Sequence, residues 1–353
     1  MITFVCTKAH RYPLMDFLYS ERKEIRRLFR VIPYATLLRK RWLKTGTVIF
    51  SDLERLSPDD LDRVGGLSQR LRVAGVRVLN DPAVSCRRYE LLKRLHDAGI
   101  NPHAVDLLTE GRPPANYPVF IRRANDHQGS LTSLLSTPAE YTAAVEELSR
   151  RGQCRDDKLV VEFCDTRGDD GWYRKYAAFR VGDSIIPRHL LLGNAWGMKH
   201  AFADTSGESA DEEWEYVRNN PHEAELMRIF ELAGIQYGRI DYGLRDGRPV
   251  VWEINTNPAL TTLDRVAPEL RARQHIHYVN AIHDAFAAID GGGIGRIAVR
   301  RRTPCSEWLS GVEQWLHTRF PSQRPRLVRL TRRIKPALKS LGMVRKPSDQ
   351  NAG

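Results

Sequence analysis

Val250-Val251-Trp252-Glu253-Ile254-Asn255-Thr256-Asn257-Pro258 is an apolar, β-branched run that carries a carboxylate and a carboxamide two positions apart. In an extended strand side chains alternate between faces, so Glu253 and Asn255 share one face; Val250, Trp252 and Ile254 take the other and read as core. A second extended run, Arg239-Ile240-Asp241-Tyr242-Gly243-Leu244, precedes it, with Arg245-Asp246-Gly247-Arg248 between. Asp-Gly flanked by apolar runs predicts a β-hairpin. A two-residue loop sets Asp241 opposite Trp252, and a three-residue loop sets it opposite Glu253. In the second case Asp241, Glu253 and Asn255 offer three oxygen ligands on two antiparallel strands. That donor set suits a hard cation such as Mg²⁺, with Mn²⁺ as its substitute, held together with phosphate oxygens and water. The plainer alternative is a half-buried hairpin whose polar face meets water.

The composition sets the frame for this hairpin. The chain has 353 residues with 42% apolar and 28% charged residues, ordinary for a globular enzyme of one to three domains. No apolar run approaches the length of a membrane span, and the N-terminus lacks a signal-peptide core. Cys6, Cys86, Cys154, Cys164 and Cys305 lack metal-ligand spacing and read as reduced thiols, which predicts a cytoplasmic location. The formal net charge of +12 is unevenly spread. From Gly293 onward fourteen Lys and Arg face only Glu307, Glu313 and Asp349, while the rest of the chain has 41 basic and 40 acidic residues. The body is therefore near neutral, which argues against a uniformly basic nucleic-acid-binding enzyme, and no specific nucleic-acid motif stands in the sequence.

Residues 1–80 read as a small α/β unit. Ile2 to Cys6 and Thr47 to Phe50 are strands, and Glu21 to Phe29 is a basic helical stretch. Ser57-Pro58-Asp59-Asp60 is a helix start with its cap, its proline and its acids in place. Residues 81–290 mix strands and helices. Tyr89 to Ala98 is a helix closed by Gly99, and Pro138 to Arg150 is one capped by Thr137. Another spans His222 to Ala233, ahead of Gly234. Strands are expected at Pro118–Ile121, Lys158–Phe163, Tyr173–Val181 and Ser184–Pro187. This alternation predicts an α+β architecture with antiparallel sheets. Gly291-Gly292-Gly293 marks a boundary before a basic, partly helical extension, residues 291–353. Within it Trp308, Leu309, Val312, Trp315 and Leu316 form an apolar stripe at helical spacing, and residues 324–346 are strongly cationic. Such a tail is a solvated extension, docks on an anionic membrane surface as a peripheral anchor, or holds an acidic partner.

Asp on one strand, followed by Glu-Ile-Asn-x-x-Pro closing the next, resembles the metal-binding signature of the ATP-grasp superfamily. That superfamily includes D-alanine–D-alanine ligase, glutathione synthetase and the ribosomal-protein glutamate ligases. The resemblance covers residues 1 to about 290, with specific motifs from 79 to 258. It implies an ATP-grasp fold, in which ATP lies between two small α+β units after an α/β domain. Leu79-Asn80-Asp81-Pro82 and Ala98-Gly99-Ile100-Asn101-Pro102 resemble the start of the nucleotide-binding region. There a Lys eleven residues before the Gly touches phosphates in relatives, and this chain has Arg88. Pro118-Val119-Phe120-Ile121 resembles a strand that ends in a second phosphate-binding Lys, and here that residue is Arg122. Both substitutions keep charge but change reach and geometry. The Gly-rich loop that would follow is Ala124 to Ser130, with Gly129 alone, and His127 and Ser130 offer side-chain contacts instead.

Further along, Val160-Val161-Glu162-Phe163 resembles the hinge strand whose backbone at Glu162 and Phe163 reads adenine, with Asp165 placed for a ribose hydroxyl. Tyr173-Arg174 resembles the family's hydrophobic–Arg step. Pro187-Arg188-His189 stands where relatives carry an Arg that approaches the γ-phosphate. Asn194, Trp196, Lys199 and His200 follow on a loop that could close on a substrate. The resemblance implies an ATP- and Mg²⁺-dependent ligase joining a small-molecule or peptide carboxylate to an amine through an acyl phosphate. Arg188 and Arg174 would be catalytic; Arg88, Arg122, Glu162, Phe163 and Asp165 would bind ATP; and Asp241, Glu253 and Asn255 would hold the metal. The alternatives are a kinase of a hydroxyl substrate and an inert nucleotide-binding relative acting as a scaffold.

Overall fold

The computed structural model describes residues 1–126, 129–197, 204, 206–260, 269–292 and 297–299. His127, Lys199, His200, Cys305, the apolar stripe from Trp308 to Leu316 and the cationic run 324–346 lie outside the described residues. The chain forms two compact units, Met1–Ile297 and Ala298–Gly353, and every element below belongs to the first.

An N-terminal sheet is built from β1 (Ile2–Cys6), β2 (Phe29–Pro33), β4 (Thr47–Phe50) and β5 (Arg77–Leu79), after a two-residue strand β3 (Trp42–Leu43). Its order is β2-β1-β4-β5 and its pairs are parallel. β1 and β4 are buried at every position, as unbroken apolar strands in a parallel sheet should be. Helix α3 (Pro58–Val73) begins where the sequence placed it, with Ser57 Oγ accepting from the Asp60 N–H at 3.2 Å. The expected helix over 21–29 is instead a 3₁₀ turn, Lys23–Leu28, running into β2. Only Ile25 of that turn is buried, so the segment has no apolar stripe to hold a longer helix, whereas Phe29–Pro33 finds β1 to pair with. Helices α1 (Tyr12–Ser20) and α2 (Tyr34–Arg39) complete this part; in α1, Leu14, Phe17 and Leu18 form the buried i, i+3, i+4 set.

A three-stranded antiparallel sheet, order β6-β8-β7, follows from β6 (Val105–Leu107), β7 (Val119–Arg123) and β8 (Lys158–Glu162). Helix α5 (Pro138–Arg150), capped by Thr137, covers one face through Leu148 against Val119, Ile121 and Val160. Helix α4 (Arg88–Asp97) sends Leu92 to the other face, beside Val105, Leu159 and Val161. Its Leu91 and Leu95 enter a different core, so α4 is the wedge between this sheet and the next.

That next sheet is antiparallel, order β10-β9-β11-β12, from β9 (Tyr173–Val181), β10 (Ser184–Gly193), β11 (Tyr237–Arg245) and β12 (Arg248–Asn255). One face packs Ala178, Ile240, Tyr242 and Val251 against α4, α6 (Gly207–Asn219) and α7 (Glu223–Leu232). The opposite face sends Phe179, Val181 and Tyr237 into a core shared with Phe4, Ile49 and Leu79 of the N-terminal sheet and with Tyr278 and Phe286 of α8 (Ala272–Ala288). Asn80, in the left-handed region at φ 57°, clasps the start of β11. Its carboxamide accepts from the Gln236 and Tyr237 N–H groups at 2.8 Å each and donates to the Tyr237 carbonyl at 2.7 Å. The fold is α+β. No described helix is long and apolar enough to cross a membrane, and Cys6, Cys86, Cys154 and Cys164 are free thiols.

Candidate active site

The β11–β12 hairpin turns through two residues: Arg245 pairs with Arg248, and Asp246 and Gly247 both take positive φ, 52° and 73°. A regular hairpin with that turn would set Asp241 opposite Trp252. A β-bulge intervenes, because Tyr242 pairs with Val251 while Asp241 pairs with Glu253, leaving Trp252 as the extra residue. The two carboxylates therefore face each other through a bulge and not through a longer loop. Trp252, expected in the core, is half-buried and lines the cleft described below. Its ring lies over Gly243, where a Cβ would come within 2.9 Å of it.

Strand parity then decides what surrounds the carboxylates. Along β11, positions 237, 239 and 241 share a face that passes from core at Tyr237 to charge at Arg239 and Asp241. Lys175 on β9 reaches the same carboxylate: its Nζ lies 2.8 Å from Asp241, and Arg239 Nε lies 2.8 Å from it on the other side. Asp241 is 1% exposed. Burial works against its charge, yet Arg239 and Lys175 outweigh that and hold its carboxyl below the usual range. Among the described residues Glu253 has two cations beside it. Arg88 bonds it directly, and Arg122 Nη2 stands 3.6 Å away. Arg88 also donates to the carbonyls of Arg123, Ala124 and Asp126 at 3.1, 2.9 and 2.8 Å, tying α4 to the loop after β7. Burial, with Arg88 nearby, pushes the Arg122 pKa down to about 10, still charged at neutral pH. Among the described residues four cations thus meet two carboxylates.

These groups stand at one end of a cleft of about 290 Å³ between the three- and four-stranded sheets. Arg122, Lys175, Asp241 and Glu253 line the charged end, and Leu92, Phe120, Val161, Phe163, Trp196 and Trp252 supply most of the apolar lining. His103, 5% exposed, also borders it, and burial pulls its pKa down to about 4, so its imidazole is neutral at pH 7. The residue types fit a divalent hard cation, although Asp241 and Glu253 are engaged by the cations above and Asn255 stands outside the cleft lining. Asp241 and Glu253 are opposed, and the Asn255 carboxamide oxygen, which accepts from the Asn257 N–H at 2.8 Å, retains a second lone pair. Among the described residues no three His, Cys, Asp or Glu side chains gather into a metal-holding group. An ion here would complete its shell with oxygens from outside the chain.

The remaining expected residues are scattered around this cleft. Glu162 lines it, but its carboxylate accepts from the N–H groups of Ala104 and Asn116 at 3.0 and 3.1 Å, bracing the strand from behind. Phe163 lines it directly, with its own N–H held by the Pro118 carbonyl at 2.8 Å. Asp165 is engaged by Arg167, whose hydrogen bonds lower its pKa, and does not line the cleft. Arg174 touches the rim, but its guanidinium is clamped by Glu212 at 2.6 Å and Asp170 at 2.7 Å. Its neighbour Lys175 points to the opposite face of β9 and supplies the cation beside Asp241. Arg188 sits at an irregularity in β10, between Pro187 and His189, 8% exposed and 4.4 Å over the Tyr278 ring. It lies apart from the cleft lining, and among the described residues it has no ion-pair partner.

Sequence reasoning missed Lys175, Arg239, Trp252 and His103. Parity offered a signal for the first two, since 175 lies two before Ala177, which pairs with Asp241, and 239 lies two before Asp241. The bulge had no such signal.

No protein-family profile matches the chain, and no curated protein matches it. Solved structures do. D-alanine–D-alanine ligase from Bacillus anthracis, complexed with ATP, is similar at 13% identity and TM-score 0.47, covering 82% of this chain and 97% of that one. The ATP-grasp ligase PsnB, complexed with a minimal precursor, is similar at 14% identity and TM-score 0.47, covering 82% and 98%. A RimK domain ATP-grasp protein from Sphaerobacter thermophilus is similar at 14% identity and TM-score 0.45, covering 83% and 100%. All three are ATP-grasp proteins, the superfamily that the hairpin motif resembles.

Proposed function

We propose that this chain binds ATP with Mg²⁺ in the cleft and spends it to join a carboxylate to an amine. The observation that carries this reading is the convergence of Arg88, Arg122, Lys175 and Arg239 on Asp241 and Glu253, beside a cleft whose lining also holds Phe120, Phe163, Tyr173, Trp196 and Trp252. The surplus of positive charge among the described residues beside opposed carboxylates suits a polyphosphate accompanied by a divalent ion, and the aromatic lining suits a flat base. Asp241, Glu253 and Asn255 would hold the ion. When bound, Mg²⁺ offsets phosphate charge and aligns the oxygens around the γ-phosphorus.

The chain's own groups do the rest by position and charge. Arg122 and Lys175 reach into the cleft and would bind phosphate oxygens, while Arg239 holds Asp241 ionised and Arg88 fixes the Glu253 side chain in place. Arg188, a buried guanidinium, suits an incoming carboxylate or the phosphoryl group passing to it, at the same face of the sheet. Carboxylate attack on the γ-phosphorus gives an acyl phosphate and releases ADP; an amine then displaces phosphate to form the amide. This route asks no nucleophile of the protein.

The test is calorimetric titration of ATP with and without Mg²⁺ into wild type, Glu253→Gln and Asn255→Ala. Asn255→Ala leaves both ion clusters intact, so ligand loss there is separable from unfolding. Mg²⁺-dependent binding that weakens at least tenfold in both variants supports the site, and amide formation with ADP release from an acid–amine pair supports the reaction. Absence of binding to folded wild type overturns the reading, and a phosphorylated alcohol in place of an amide makes the enzyme a kinase.

A further inference from the structure

Beyond the end of β10, residues Asn194 to Gly197 leave the four-stranded sheet, and Trp196 crosses to the three-stranded one. Its indole lies 5.1 Å from the Phe120 ring on β7 and 5.8 Å from the Phe163 ring just past β8. Asn194, Ala195 and Gly197 are exposed, and a Cβ placed on Gly197 would meet nothing within 4 Å. Among the described residues no hydrogen bond ties 194–197 down. The indole is thus inserted while, among the described residues, no hydrogen bond fixes its flanking backbone.

The insertion falls among the aromatic residues that line the cleft. With the indole in place the cleft measures about 290 Å³, at the small end of ligand sites, which typically run from roughly 300 to 1,000 Å³. An indole is a fused five- and six-membered ring system of nearly the size and shape of a purine. Two aromatic contacts hold it, in the tilted and edge-on geometries such rings prefer. Phe163 and Phe120 are then already spent on a ring belonging to the chain itself. We propose that Trp196 is an internal stand-in for the nucleotide base: it fills the base slot, and a purine nucleotide binds by displacing it.

This inference rests on the reading of the cleft as a nucleotide site, and the experiment separates the two. Full-length wild type, Trp196→Ala and Trp196→Phe are titrated with Mg·ATP, with Mg·tripolyphosphate, which has no base, and with the apolar dye anilinonaphthalene sulfonate. Displacement predicts that Trp196→Ala binds Mg·ATP more tightly, by roughly tenfold for the loss of two aromatic contacts. Tripolyphosphate binding stays unchanged, and Trp196→Phe falls between. Weaker Mg·ATP binding by Trp196→Ala overturns the proposal, because the indole is then a stacking wall, and equal binding by all three overturns it as well. If neither wild type nor variant binds Mg·ATP, the nucleotide reading fails. The dye then decides the plug alone: added fluorescence in Trp196→Ala marks an opened aromatic slot, and none means no slot was filled.

Discussion

Glu253 carries two duties, since its carboxylate balances Arg88 and Arg122 whether or not a metal is bound. The three side chains are 15%, 6% and 13% exposed, so removing the negative charge leaves two guanidiniums buried with little water to answer them. Glu253→Gln is therefore expected to lower unfolding free energy by about 3 kcal/mol, the low end for breaking a buried pair, in urea titrations followed by far-ultraviolet dichroism. His103 gives a second test with a definite sign. Burial lowers its native pKa to about 4, whereas the unfolded chain protonates near the ordinary value of about 6.5. Between those limits the unfolded state binds more protons, so stability is full above about pH 6.5 and drains as pH falls toward 4, by on the order of 3 kcal/mol in all. His103→Phe is expected to flatten that slope between pH 7 and 4.5, and an unchanged slope would assign it to another group. Neither residue could be weighed this way from sequence: Glu253 meets Arg88 across 165 positions, and the burial of His103 is a property of the folded chain that its local sequence does not announce.

At the scale of elements, the hairpin turn was plain to read because Asp246-Gly247 supplies two residues that tolerate positive φ. Gly247 has open space around a would-be Cβ, so substitution there tests backbone conformation alone. Gly247→Val should cost about 1–2 kcal/mol while leaving metal-dependent ligand binding unaltered in the folded fraction. Capped helices were equally legible: Ser57 and Thr137 both accept from the third N–H beyond them, as their positions foretold. The bulge at Trp252 was not, since its cause is tertiary. Val251 belongs to the core against α4 and Glu253 to the charged face, and the strand satisfies both by inserting one residue. β2 was missed for a related reason. Phe29–Pro33 is a strand because β1 offers an edge, and no local periodicity announces that.

For the whole molecule, the shared core matters most. Phe4, Ile49 and Leu79 of the first sheet pack with Phe179, Tyr237, Tyr278 and Phe286 from the other end of the chain. A fragment of residues 81–292 would expose that face, so it is expected to be insoluble or molten by near-ultraviolet dichroism, while residues 1–292 unfold in one transition. Independent folding of the fragment would show that the N-terminal sheet is a separable module. The charge surplus is a second feature at this scale. Almost all of the net +12 falls after Gly293, outside the described residues, and we propose that it serves attachment to an anionic surface. Removal of residues 324–353 should abolish salt-sensitive sedimentation with phosphatidylserine vesicles; equal sedimentation of the truncated chain would end that idea.

The Asn80 clasp has a consequence in time. Its bonds to Gln236 and Tyr237 close a loop of 156 and 157 positions, and β11 lies between β9 and β12. During synthesis the first sheet emerges early, with its asparagine in place, but the β9–β10 ribbon, complete at Gly193, must wait for its inner partner until Tyr237 and the rest of β11 follow. Throughout that interval the edge of β9 that β11 will cover stands open, ready to pair with any extended chain nearby. A ribosome stalled between residues 193 and 237 would hold the species most in need of a chaperone.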